Sequence, residues 1–355
     1  MSGNGRKNGP VDEESTPDQE RAAASRTLLG ALTGSWVAQA CYAAAVLGIA
    51  DILAEGPKAA AEIAGECDAQ PDGVHRILRA LASVGIFAQD EQDRFSLTPV
   101  SDLLRSDTPH SLRNSAIMLG EEVFRSFGAL VHAVRTGTPA FDEVHGMPMY
   151  TYLQEHQEVA RTFNAALGSR GAVPAAFAHC SLDGVRTVVD IGGGNGNLLA
   201  EVLTDRPELH GVLLELPEAV SQARQRLEAA GLTDRTTLVE GSFFEEVPTG
   251  GDLYLLSRCL HNWTDDKALA ILRTTRAALP PGGRLVILEK VIPSGPGPSQ
   301  AKVYDLLMLA MVEGRNRTAP EYRALAEKAG FEVTAVHPAP ATDPNGEGAI
   351  EVIAV

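Results

Sequence analysis

The chain has 355 residues, 46 acidic and 30 basic, for a formal net charge of −16. That length can bury one large or two medium cores, and the negative charge opposes a phosphate backbone, so no nucleic-acid partner is expected. Four dispersed cysteines, Cys41, Cys67, Cys180 and Cys259, form no CxxC pair and read as reduced thiols of a cytoplasmic protein, with no metal expected.

Residues 1–24 are polar and rich in Gly and Pro, which predicts a disordered tail without signal-peptide character. WVAQACYAAAVLGIADIL, Trp36 to Leu53, is long enough for a membrane span to be weighed. Its alanines, Gln39, Asp51 and missing basic flank favour a buried helix at a subunit interface, and no membrane partner is expected. DGVHRILRALASVG places Val74, Ile77, Leu78, Leu81 and Val84 on one helical face, and IFAQDEQDRFSLT reads as two short strands around an acidic turn. Residues 25–110 thus have a winged-helix outline. Between Ala59 and Leu104, however, eight acidic residues face three basic ones, the wrong balance for a DNA reader.

Residues 111–172 read as helical and interrupted by a loop, GTPAFDEVHGMP. From 173 to 355 short apolar strands alternate with helices, the pattern of an α/β, doubly wound parallel sheet; FEVTAVHPAP and AIEVIAV add a terminal antiparallel pair.

Three strand ends carry the chemistry. VVDIGGGNGNLL leads from a strand through Asp190, Gly192, Gly194 and Gly196 into a helix. No register fits the nicotinamide fingerprint GxGxxG; the DxGxGxG spacing matches the first motif of S-adenosylmethionine (SAM)-dependent methyltransferases, with Asp190 serving the amino end of the methionine moiety. In LLELP, Glu215 ends the next strand, where a carboxylate can accept both ribose hydroxyls. In VEGSFF, Gly241 and Ser242 end a third strand and Phe243 is placed to stack on adenine.

The chain resembles the bacterial natural-product O-methyltransferases related to plant caffeate and flavonoid O-methyltransferases. The resemblance runs from about Leu28 to the C-terminus and rests on TGSWVAQACYAAAVLGIADIL, HRILRALASVGIF, FDEVHGMPMYTYL, VVDIGGGNG, LHNWTDD and GRNRT…EYRALAEKAGF. It implies a class I methyltransferase Rossmann-like domain, an N-terminal winged-helix dimerisation domain, a homodimer, and SAM as cofactor with S-adenosylhomocysteine (SAH) as product. Carried over by position, it implies cofactor contacts at Gly192, Glu215, Ser242, Phe243 and Ser257, and acceptor contacts at Met118, Met147, Phe163, Leu167, Met308 and Met311. Ser242 replaces the usual Asp of GDFF. A Met-rich pocket suits a flat aromatic acceptor.

In SRCLHNWTDD, His261 follows an apolar strand, and the resemblance implies that it is a general base flanked by two acidic residues. One maps onto Glu289. The other maps onto Asn316, because the expected GxERT reads GRNRT here, with Glu313 three residues earlier as a possible substitute. A phenol near pKa ~10 and an imidazole near ~6.5 differ by about 4.8 kcal/mol, so proton removal must accompany attack or the pocket must favour phenolate. The resulting expectation is methyl transfer to a phenolic hydroxyl of an aromatic secondary metabolite. Two alternatives stand beside it: a methyltransferase-like enzyme that binds SAM but catalyses hydroxylation or decarboxylation, and a winged-helix regulator.

Overall fold

The structure, a computed structural model, describes residues 16–108, 111–168, 173–340, 343 and 346–355. The chain divides into two compact units, residues 1–101 and 102–355, so the segment expected as a separate linker belongs to the larger unit.

In the smaller unit a 30-residue helix, Pro17–Val46, begins at Thr16, whose capping box with Gln19 satisfies the first free N–H groups. The expected tail therefore ends at least eight residues early; residues 1–15 lie outside the described part. Of the stretch Trp36–Leu53, expected as a buried helix at a subunit interface, Ala44, Ala45, Ile49, Ala50 and Leu53 are buried within one protomer, while Trp36, like Leu28 and Leu32 before it, is 62–72% exposed. No single helix among the described residues is long and apolar enough to cross a membrane. The helices Ala60–Glu66 and Pro71–Ser83 are followed by a hairpin, and strands β1 (Lys58–Ala59), β2 (Phe87–Gln89) and β3 (Arg94–Leu97) pair in the order β1-β3-β2. Val74, Leu78 and Leu81 are buried as the periodicity predicts; Val84 falls past the helix end and is exposed.

The larger unit is built on seven strands: β4 (Thr187–Ile191), β5 (His210–Glu215), β6 (Thr236–Glu240), β7 (Leu253–Ser257), β8 (Arg284–Glu289) and, beyond two short strands, β11 (Phe331–His337) and β12 (Gly348–Ala354). The short strands are β9 (Val291–Ile292) and β10 (Arg317–Thr318), a parallel pair of their own. The large sheet runs β11-β12-β8-β7-β4-β5-β6, with β4 to β8 parallel and β12 antiparallel to β8. Its strands are apolar on both sides because helices cover both faces, giving two core clusters around Leu256 and Ile287 on one side and Leu255 and Val286 on the other. Chain order reverses at β4, which lies between β5 and β7, and a crevice at such a switch point takes ligands at the C-terminal strand ends.

Residues 113–168 form a helical layer. The expected loop GTPAFDEVHGMP holds a helix, Ala140–His145: Gly137 ends the preceding helix, Pro139 caps this one, and Gly146 ends it in turn. This layer packs on the helix Gln300–Met311 through Met118, Phe141, Met149, Met308 and Met311.

Candidate active site

The C-terminal ends of β4, β5, β7 and β8 and the helical layer enclose a cavity of about 500 Å³. At the end of β4 the backbone turns sharply through Gly192, at φ 67°, where any side chain would also meet the Phe243 ring 3.1 Å away. A Cβ on Gly193 would lie 2.4 Å from the Asp190 carboxylate, so the turn wraps tightly over that acid. Asp190 is fully buried, lines the cavity, and neither of its oxygens has a hydrogen-bond partner. Burial, with a smaller push from the Glu215 charge, raises its carboxyl to about 7. Such an orphaned acid fits a ligand that brings an ammonium group.

Glu215 is held at the end of β5 by the N–H groups of Gly194 (3.0 Å) and Leu216 (2.7 Å), and it lines the same cavity. A carboxylate fixed in this way fits a vicinal diol. Gly192, Gly194, Phe243 and Ser257 also line the cavity, together with Gly193, which motif spacing did not single out. Two expected cofactor residues do not. A Cβ on Gly196 would pack on Ala223 and Leu213 of the neighbouring helix and strand, and the Ser242 hydroxyl accepts the Phe244 N–H at 3.2 Å in its own turn.

Beyond β7, His261 sits in a short turn, Leu260–Asn262. Its Nδ1 lies 2.7 Å from Oε2 of the fully buried Glu289, a close contact that is not aligned as a hydrogen bond. The other oxygen, Oε1, accepts the backbone N–H groups of Cys259 (3.0 Å) and His261 (3.2 Å). Glu289 thereby holds both the ring and the turn that carries it, and His261 lines the cavity.

The GRNRT segment builds the other support. A Cβ on Gly314 would lie 2.1 Å from the His261 carbonyl oxygen, so only glycine lets this backbone pass. Arg317, fully buried, donates to the carbonyls of Leu260 (2.9 Å) and Trp263 (2.8 Å), bracketing His261, and pairs with Asp265 at 2.8 Å. Between them Asn316 lines the cavity, 3% exposed, with neither side-chain polar atom partnered. Glu313 does not replace the missing carboxylate: it pairs with Lys267 on the surface and does not line the cavity.

Of the expected acceptor residues, Met118, Phe163, Leu167, Met308 and Met311 line the cavity. Met147 does not; Met149, two residues on, takes its place. Sequence reasoning also missed Arg258, strained at φ 52° and paired through two 2.7 Å contacts with the buried Glu347, and Lys290, 4.4 Å over the Tyr304 ring. All four line the cavity. Their partners come from distant strands and helices, so no local spacing marks them. Outside the cavity, Cys180, His337 and Glu351 bring their ligand atoms within 4.8 Å of one another, a grouping not foreseen from spacing; His337 and Glu351 are hydrogen-bonded at 2.7 Å.

The family model for the O-methyltransferase domain matches residues 127–332, and that for the O-methyltransferase dimerisation domain matches residues 29–107. The phenazine O-methyltransferase PhzM of Lysobacter antibioticus is 41% identical, the match covering 88% of this chain and 93% of the relative. The 3-amino-4-hydroxybenzoate 4-O-methyltransferase of Streptomyces cremeus is 39% identical over 91% of this chain and 88% of its own. Among solved structures, the O-methyltransferase NcsB1 from neocarzinostatin biosynthesis, in complex with SAM and 2-hydroxy-5-methyl naphthoic acid, superposes with a TM-score of 0.77 at 32% identity, covering 90% of this chain and 96% of that one. A Gly-rich β4 turn over an orphaned acid, a fixed carboxylate on β5 and this extent of likeness place the chain in the SAM-dependent O-methyltransferase family.

Proposed function

We propose that this enzyme methylates a phenolic hydroxyl of an aromatic natural product, with His261 as general base, Glu289 orienting it and Asn316 assisting. The observation that carries the reading is the 2.7 Å His261–Glu289 contact at the edge of the cavity that Asp190 and Glu215 also line. Asp190 is assigned to the ammonium of the cofactor, Glu215 to its ribose hydroxyls, Phe243 to the adenine, and Ser257 and the glycine turn to the remainder. When bound, the cofactor supplies a methyl group on a positively charged sulfur. The chain's own residues do the rest. Met118, Met149, Met308 and Met311 exclude water and adapt to a flat ring.

His261 takes the phenol proton at its outer nitrogen, while the Glu289 carboxylate, 2.7 Å from Nδ1, stabilises by charge the imidazolium that forms. Asn316 can orient the imidazole or the acceptor but adds no charge, so His261 is a weaker base than one flanked by two carboxylates. That suits an acceptor with a comparatively acidic hydroxyl. Relatives acting on phenazines and aminohydroxybenzoate support an aromatic acceptor. The dimerisation domain supports a homodimer.

The test is methyl transfer by wild type, His261→Ala and Asn316→Glu across pH, with a panel of phenols monitored for one added methyl. His261→Ala is expected to lose at least about a hundredfold in turnover. Near wild-type turnover would show that proximity alone drives transfer.

A further inference from the structure

Four acidic side chains line the cavity: Glu122, Asp190, Glu215 and Glu347. Asp190 and Glu215 belong to the cofactor end, and Glu347 is taken up by Arg258. Glu122 has no such account. It lies in a π-helical turn, Leu119–Val123, inserted between the helices Arg113–Met118 and Phe124–Phe127. Such turns bulge a helix and re-aim its side chains, and they recur at functional sites. Here the turn carries Glu122 to the cavity beside Val123, while Glu121 pairs outward with Arg125 at 2.9 Å.

The nearby groups that could neutralise Glu122 are otherwise engaged. Arg125 is held by Glu121, and the His156 ring contacts the Tyr152 carbonyl at 2.8 Å through Nδ1. Among the described residues no side chain hydrogen-bonds or ion-pairs with Glu122. Burial raises its carboxyl above the usual range. The surrounding wall is apolar and aromatic: Met118, Val123, Phe141, Tyr152 and Phe163. A partly buried acid in an aromatic wall, whose side chain has only a backbone hydrogen bond, gains from a donor on a ligand that fills the space it faces.

We propose that Glu122 reads the acceptor, binding an N–H or O–H substituent on the aromatic ring system other than the hydroxyl that is methylated. The inference rests on the acceptor occupying this cavity, as the proposed function has it. It adds a substrate class: amino- or hydroxy-substituted phenols rather than plain ones. The Glu122 oxygen accepts the substituent's hydrogen, an ammonium forms the stronger charge-assisted contact, and a ring lacking a donor leaves the partly buried acid with only its backbone hydrogen bond.

Binding to the SAH-saturated enzyme tests this without requiring turnover. The probes are 2-naphthol, its 5-, 6- and 7-amino derivatives, and 2,6-dihydroxynaphthalene, titrated against wild type, Glu122→Gln and Glu122→Ala. Wild type is expected to bind at least one amino- or hydroxynaphthol about tenfold or more tighter than 2-naphthol. Glu122→Ala should erase that preference, and Glu122→Gln, which keeps a carbonyl oxygen, should retain part of it. Unchanged SAH affinity in both variants shows that the fold persists. Equal affinity of wild type for all probes, no binding of any probe, or a preference that survives Glu122→Ala overturns the proposal. Equal affinity of wild type for all probes with methyl transfer to plain phenols intact overturns only this inference and leaves the base assignment standing.

Discussion

A buried carboxyl with neither oxygen paired, as in Asp190, is stable while it keeps its proton or meets a cation. Its raised folded-state value, about 7, sets the sign of two pH effects. Between the ordinary carboxylate range and about 7 the folded chain holds a proton that the unfolded chain has released, so this group's contribution to apo stability falls as pH rises through that window. Ammonium binding needs the ionised form, so SAH affinity should rise with pH over the same range. Calorimetry is expected to show SAH binding about tenfold tighter at pH 8 than at pH 6, the ratio of ionised fractions for a group titrating near 7. In Asp190→Asn this pH dependence should vanish along with most of the affinity, while the apo melting temperature at pH 8 rises. A wild-type profile flat in pH would remove Asp190 from the ammonium site. At Asn316 the two orphaned amide atoms leave room for charge. Asn316→Glu is expected to shift the acid limb of the kcat profile by about one pH unit or more, upward, because a second carboxylate favours the imidazolium. The DxGxGxG motif made Asp190 legible in the sequence, but its missing partners are a property of the closed turn around it.

At the scale of elements, the GRNRT segment serves as a brace for the turn that carries His261. Gly314 lets the backbone pass the His261 carbonyl, and Arg317 ties the carbonyls on either side of His261 to Asp265. Arg317→Lys keeps a charge but loses the fork that reaches several acceptors at once. It should cost about 2–4 kcal/mol of stability in denaturant titration and lower kcat more than the acceptor KM, because the base is displaced while the cavity wall remains. A rise in KM alone would assign Arg317 to acceptor binding instead. This brace was not legible from the motif, whose resemblance drew attention to position 316. The carbonyls that Arg317 meets lie more than fifty residues away in the chain, and backbone groups carry no residue-type signal. The same limit explains the π turn at Leu119–Val123: composition shows a helix there but not the extra residue that re-aims Glu122.

For the whole molecule, the long N-terminal helix poses the main energetic question. Leu28, Leu29, Leu32 and Trp36 are 56–72% exposed within one protomer, a contiguous apolar run that a solvated helix does not sustain. The match to a dimerisation domain over residues 29–107 supplies the reason. Leu32→Glu combined with Trp36→Glu is expected to give a monomer in analytical ultracentrifugation, where the wild type is expected to sediment as a dimer. A wild-type monomer would require another cover for this face. The sequence reading placed this helix in a buried environment because hydrophobicity reports what must be covered, not which chain covers it.

By itself the sequence determined the alternating strands and helices and the cofactor turn, because each is written in local periodicity or in short motifs at strand ends, while the pairing of His261 with Glu289 was implied only by the family resemblance. Tertiary structure decided the rest. Met149 rather than Met147 lines the cavity, Gly196 and Ser242 serve packing and turn geometry, Glu313 lies at the surface, and Glu122 lines the cavity. Each of these depends on where a side chain points once distant segments have packed, and a shift of one or two residues along a helix, which the sequence pattern tolerates, moves a side chain from one wall to another.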